Sequence, residues 1–126
     1  MPSTVEFKGI HAIMLGVRDL APALEFYRDI LGLKVKMQEA QLALLDAGPI
    51  TLGLSPGHVR LAPQVAGATE VTFLVGNVRA TCSALAKRGV SFLSEPRQAT
   101  PTDWVAHFRD PDGHLLSVFG PEGKIE

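Results

Sequence analysis

The sequence predicts an α+β protein in which one βαβββ module occurs twice. Three observations carry this. Two stretches of helical periodicity have matching boundary signals: Asp19 and Asn77 mark starts 58 residues apart, and Gly32 and Gly89 mark stops 57 apart. A short apolar run precedes each helix. Three strand candidates follow each one. A period of this length indicates an internal duplication. Each half is too small for a good core of its own, so the halves are expected to pack as one domain. Module 1 spans about 8–56, a linker 57–68 and module 2 about 69–120 of the 126 residues.

The elements follow in order. Ile10 to Val17 is a short apolar run, read as a strand buried on both faces. Leu20, Leu24, Tyr27 and Leu31 recur at helical spacing across Ala21 to Leu31. Asp19 is the expected N-cap, Pro22 sits in the first turn where its missing N–H costs little, and Gly32 ends the helix. Leu33 to Gln38 alternates Val35 and Met37 with Lys34 and Lys36, the period-two signature of a strand. Gln41 to Asp46 and Ile50 to Ser55 are two further strands around the turn Ala47-Gly48-Pro49.

Pro56, Gly57, Pro63 and Gly67 break regular structure in the linker. Glu70 to Val75 then opens the second module, with Asn77 as N-cap, a helix over Val78 to Arg88 and Gly89 as its stop. Strands are expected at Val90 to Leu93, Thr102 to Arg109 and Leu115 to Phe119. The last two are joined by the turn Asp110-Pro111-Asp112-Gly113.

Composition narrows the function. Apolar residues make up 46%, charged residues 20%, and net charge is −1, with no basic patch or acidic tail, so nucleic acid and anionic membrane surfaces are not expected partners. No apolar run approaches 18 residues, so no membrane span is expected. The first nine residues do not read as a signal peptide. Cys82 is the single cysteine, which excludes an internal disulfide and fits a cytoplasmic setting.

Three stretches resemble the vicinal-oxygen-chelate superfamily of glyoxalases, bleomycin-resistance proteins and extradiol dioxygenases. They are GIHAIMLGVRDLAPALEFYRDILGLKV from Gly9, EVTFLVGNVRATCSALAKRGV from Glu70 and FRDPDGHLLSV from Phe108. The resemblance implies two curved mixed sheets around a cavity. It also implies, in metal-dependent members, one ligand on the first and one on the last strand of each half.

Strand parity tests that ligand set. Ile13, Leu15 and Val17 are the bulky set of the first strand, so Ala12, Met14 and Gly16 face the cavity. Val71, Phe73 and Val75 leave Glu70, Thr72 and Leu74 to face it in the second half. The family motif, counted back from Asp19 and Asn77, selects Ala12 and Glu70; on the last strands it selects Gly53 and Ser117. Alanine and glycine side chains offer no donor, and sites of this kind need three or four. No cofactor is therefore expected, and a divalent metal is the alternative.

His11 has the parity of the bulky set and is expected to be part-buried, hydrogen-bonded and turned away from the cavity. A one-residue bulge would reverse it, and His11 with Glu70 would then be the leading metal ligands. His58 and His114 are expected to be solvated. Pairing Ala106 with Ser117 turns His107 outward, to a structural role.

The same parity selects a ligand-binding set of Met14, Gly53, Glu70, Thr72, Trp104, Phe108 and Ser117, mainly apolar with a few polar groups. Small residues at Ala12 and Gly53 would leave room for a ligand. Trp104 either stacks on a planar or cationic ligand or anchors a core or interface. Glu70 is the candidate catalytic residue: buried near Leu74 and Phe108, its pKa would rise and suit acid–base work. The other reading of Glu70 is a solvated carboxylate at the cavity mouth. Cys82 is expected to be an inert, buried thiol.

Three functions follow. The first resembles the bleomycin-resistance branch: metal-free binding of a small planar or amphipathic organic molecule. The second is a glyoxalase-type lyase, isomerase or dioxygenase acting on a small oxygenated substrate. The third is a structural or regulatory dimer module. A homodimer is expected from the resemblance alone.

Overall fold

The computed structural model describes residues 8, 10–57 and 69–124. Residues 58–68, with His58 and the rest of the linker after Gly57, lie outside the described residues. The chain divides into two compact units, Met1–Pro63 and Gln64–Glu126.

Unit 1 begins with β1 (Ala12–Gly16), followed by α1 (Leu20–Leu24), which runs straight into a π-helical segment, Glu25–Ile30. Then come β2 (Lys34–Glu39), β3 (Leu42–Ala47) and β4 (Ile50–Ser55). The sheet order is β1-β4-β3-β2, with β1 and β4 parallel and the other pairs antiparallel. Leu15, Leu45, Leu52 and Leu54 are buried on one face beneath Ala23, Leu24, Phe26 and Tyr27 of the helical segment. Each such side chain contributes about 1.5–3 kcal/mol by leaving water.

The helix departs from its expected periodicity. Phe26 joins the core and Leu31 is only half-buried. The Leu31 N–H donates to the Phe26 carbonyl, an i−5 bond that widens the turn and rotates later residues off the α-helical stripe. Asp19 stands at the N-cap with extended backbone, but its side chain makes no capping bond.

β2 also departs from simple alternation. Val35 pairs with Leu45 while Met37 pairs with Leu44, so Lys36 is the extra residue of a bulge. Val35 therefore faces the core and Met37 the opposite face, where it is exposed.

Unit 2 has β5 (Glu70–Leu74), α2 (Val78–Lys87), β6 (Arg97–Gln98), β7 (Trp104–Arg109) and β8 (Leu115–Gly120), in sheet order β5-β8-β7-β6. β5 and β8 are parallel. Val78, Leu85, Ala106, Phe108, Leu116 and Val118 form its buried face. Asn77 Oδ1 accepts from the Ala80 N–H at 2.9 Å, as expected of an N-cap. The chain after β8 returns to the same helix end, where the Pro121 and Glu122 carbonyls accept from the Val78 and Arg79 N–H groups. These donors would otherwise lack helical partners.

α2 closes as a Schellman motif: the Val90 N–H donates to the Leu85 carbonyl and the Gly89 N–H to the Ala86 carbonyl, with Gly89 at φ +97°. Val90 is thereby committed to the helix cap. The strand expected at Val90 to Leu93 is reduced to a single bridge between Phe92 and Phe108, and Arg97–Gln98 takes the sheet edge instead.

Candidate functional site

Each sheet has one face under its helix and one open face. In unit 1 the register runs without a shift from Ala12↔Thr51 to Gly16↔Ser55, so Ala12, Met14, Thr51 and Gly53 share the open face as expected. The room expected at Gly53 is taken. A Cβ built there would overlap Met14 Sδ, so the methionine thioether already lies over the glycine. His11 precedes β1 and is exposed, which corrects its part-buried reading. Its carbonyl accepts from the Thr51 N–H at 3.3 Å.

In unit 2, β5 and β8 pair Glu70 with Leu115, Thr72 with Ser117 and Leu74 with Phe119. Glu70, Thr72 and Ser117 therefore stand together on the open face. The pairing of β7 differs from expectation by one residue: His107 pairs with Ser117, and Phe108 with Leu116. Loop length is the cause. β7 ends at Arg109 and β8 begins at Leu115; between them the Asp110 N–H donates to the His114 carbonyl at 3.1 Å, and the Asp110 carboxylate accepts from the Asp112 and His114 N–H groups. The turn Asp110-Pro111-Asp112-Gly113 forms as expected, closed by the Gly113 N–H on the Asp110 carbonyl at 3.0 Å with Gly113 at φ +89°, but His114 lies between it and β8, so Arg109 pairs with Leu115 and not with His114. A shift of one residue moves every side chain of the strand to the other face.

Three assignments change with it. Phe108 is fully buried on the helix side, its ring 5.3 Å from that of Phe92. Trp104 shares its face and carries the Arg79 guanidinium of α2 at 5.3 Å, so it is an intramolecular anchor rather than part of the open-face set. His107, read from sequence as outward and structural, faces Glu70.

Glu70 is the centre of the resulting cluster. Its Oε2 accepts from Ser117 Oγ at 2.5 Å and from Thr72 Oγ1 at 3.2 Å, and lies 3.2 Å from His107 Nε2. Ser117 is fully buried, whereas the Glu70 side chain is 33% exposed and that of His107 19%. Every one of these contacts falls on Oε2. Among the described residues, Oε1 has no protein partner. The Ser117 hydrogen bond, opposed by partial burial and helped by His107 and Thr72, holds the Glu70 carboxyl below the ordinary glutamate range. This corrects the expected upward shift: hydrogen bonds to the charged form outweigh its desolvation.

The sign fixes a pH dependence. A depressed carboxyl contributes stability that is complete above the unfolded value, about 4.3. That stability is lost as pH falls through the lower folded value. Urea midpoints measured from about pH 6 down to pH 3 should therefore fall less steeply in Glu70→Gln than in the unsubstituted protein. Equal slopes would show that Glu70 is unperturbed.

Ala12 and Gly53 bring no donor atom, and Ser117 spends its proton on Glu70. Among the described residues, no group of three or more His, Cys, Asp or Glu side chains stands where one ion could be held. Unit 2 also has a groove of about 620 Å³ on its helix side, lined in part by Cys82, Ala86, Phe92 and Pro96. Burial pushes the Cys82 thiol up, with Arg79 only partly opposing it, so Cys82 is a poor nucleophile.

The duplicated βαβββ order, with one open sheet face in each unit, defines a class, and direct comparison agrees. The family model of the Glyoxalase/Bleomycin resistance protein/Dioxygenase superfamily matches residues 9–118, and the chain belongs to that superfamily. It is 30% identical over 122 residues to the uncharacterized protein YraH of Bacillus subtilis (strain 168), covering 85% of this chain and 94% of that one. Among solved structures, TnmS3, an antibiotic binding protein from Streptomyces sp. CB03234, superposes with a TM-score of 0.78 at 22% identity, covering 94% of this chain and 99% of that one. A lactoylglutathione lyase from Agrobacterium tumefaciens superposes with a TM-score of 0.73 at 18% identity, covering 89% and 92%. These two likenesses show the fold. No helix among the described residues is long and apolar enough to cross a membrane.

Proposed function

We propose that this chain binds a small organic molecule without a resident metal, and that Glu70 receives a cationic or hydrogen-bond-donating group of that molecule. The observation that carries the reading is the asymmetry of the Glu70 carboxylate. Oε2 is fixed by Ser117, Thr72 and His107, while Oε1 is left to accept from a ligand. Next to the polar row Thr72–Ser117–His107 lies an apolar row, Leu74–Phe119–Val105, with Leu74 82% exposed. A charged acceptor beside an apolar strip suits a planar or amphipathic ligand with one donor group.

The enzyme reading has less support. A carboxyl held below its usual range is a weak base, so proton abstraction by Glu70 is disfavoured. A neighbour of the same fold is an antibiotic binding protein, which supports the binding reading. The expected cytoplasmic setting and homodimer belong to the same proposal; light scattering on the purified protein checks the latter.

Thermal shift tests it. Aromatic amines should raise the melting temperature, because a ligand that binds only the folded state stabilises it. Their uncharged analogues should do so less. Glu70→Gln should weaken binding of the amines about tenfold, the loss of one charge-assisted hydrogen bond. Shifts that ignore both the ligand charge and the substitution would refute the reading.

A further inference from the structure

The geometry points to a second, oppositely charged binding position: Lys36, on the open face of unit 1, takes the carboxylate, sulfonate or phosphate of a small amphipathic anion. β2 is an edge strand, and Lys36 is the unpaired residue of its bulge. Lysines on sheet edges ordinarily extend into water and discourage edge pairing. This one instead crosses β3, and its Nζ donates to Thr51 Oγ1 on β4 at 2.7 Å. Bulges commonly re-aim a side chain beside a functional site.

Among the described residues, the ammonium has a neutral partner only. An ammonium has three donors, and Thr51, 6% exposed, uses one. The ion pairs among the described residues do not include Lys36. Asp46, opposite both Thr51 and Lys34 in the register, accepts from the Gly48 N–H at 3.0 Å. Met14, with its thioether over Gly53, and Leu44 supply an apolar floor on the same face. A cation with donors to spare, next to an apolar floor, matches an anion that carries an apolar body. The inference does not rest on Glu70, which lies in the other unit and has the opposite charge.

Two fluorescent probes of similar shape test it: anilinonaphthalene sulfonate, an anion, and phenylnaphthylamine, which is uncharged. The intact protein should bind the sulfonate more tightly. Lys36→Met keeps the length of the side chain and removes the charge. It should weaken sulfonate binding about tenfold, consistent with losing a charge-assisted contact, and leave the neutral probe unchanged. Lys34→Met, on the same strand, should alter neither. Circular dichroism confirms that each variant is folded. Unchanged sulfonate binding in Lys36→Met overturns the proposal, as does an equal loss for both probes. A loss in Lys34→Met as large as in Lys36→Met also overturns it, since that would be diffuse charge rather than a site. A Lys36→Met variant that is less stable yet binds the sulfonate normally would make Lys36 a structural staple between β2 and β4, and the proposal would fail.

Discussion

Alanine in place of Phe108 is expected to destabilise the protein by about 3–5 kcal/mol, the range for truncating a fully buried aromatic side chain. Phe108 is 0% exposed, pairs with Leu116 and stacks edge-on against Phe92. Nothing of it reaches the open face. The contrast with its neighbour makes the test informative. His107→Ala removes a part-exposed side chain beside Glu70 and should cost about 1 kcal/mol or less. It should nonetheless weaken binding of the amine ligands, because Oε2 loses a fixing partner. Denaturant unfolding of the two variants therefore reads the β7 register directly. The opposite ranking, with His107→Ala the more costly, would place Phe108 on the ligand side and overturn the pairing.

Gly120→Ala is expected to cost roughly 3 kcal/mol. Gly120 ends β8 at φ +156°, and a Cβ there would overlap the Val75 carbonyl oxygen, which is backbone and cannot rotate aside. Relief requires β8 to move away from the chain after β5, at the expense of the Val75 N–H bond to the Phe119 carbonyl at 2.9 Å. Gly48→Ala is the control. Gly48 has φ +80° but open space around a built Cβ, so only the left-handed backbone penalty applies, roughly 1 kcal/mol. Melting curves of the two variants separate collision from conformation. Equal losses would mean that the close approach at Val75 is not real.

Much of this architecture can be read from the chain because it depends on short-range signals. Asn77 caps α2 and Gly89 ends it, as their residue types require. Parity along β1, β4, β5 and β8 follows from alternation, which placed Ala12, Gly53, Glu70 and Ser117 on the open faces. What escaped depends on one-residue changes of register that alternation cannot show. One residue beyond the four-residue turn, His114, separates the strands, and the resulting shift moved His107 into the site and took Trp104 and Phe108 out. The first Asp of Asp110-Pro111-Asp112-Gly113, which caps two N–H groups, and its final Gly are the signal that could have found this. The bulge at Lys36 hid inside a regular Lys-Val-Lys-Met alternation, and the π-helical turn left no mark in the apolar periodicity. Arg97–Gln98, two polar residues, has no strand signature and pairs antiparallel with the edge of β7.

The central proposal is that the open face of unit 2 binds a ligand through Glu70 without a resident metal. Metal content per chain, measured by mass spectrometry on protein purified without chelators and again after dialysis against zinc, nickel, manganese and ferrous iron, tests it most directly. The account predicts a value near zero in every case, because Ala12 and Gly53 supply no donor and Glu70 Oε2 is already held by Ser117. A value near one ion per chain, lost in Glu70→Gln, would contradict it and move the chain among the metal-dependent members of its superfamily.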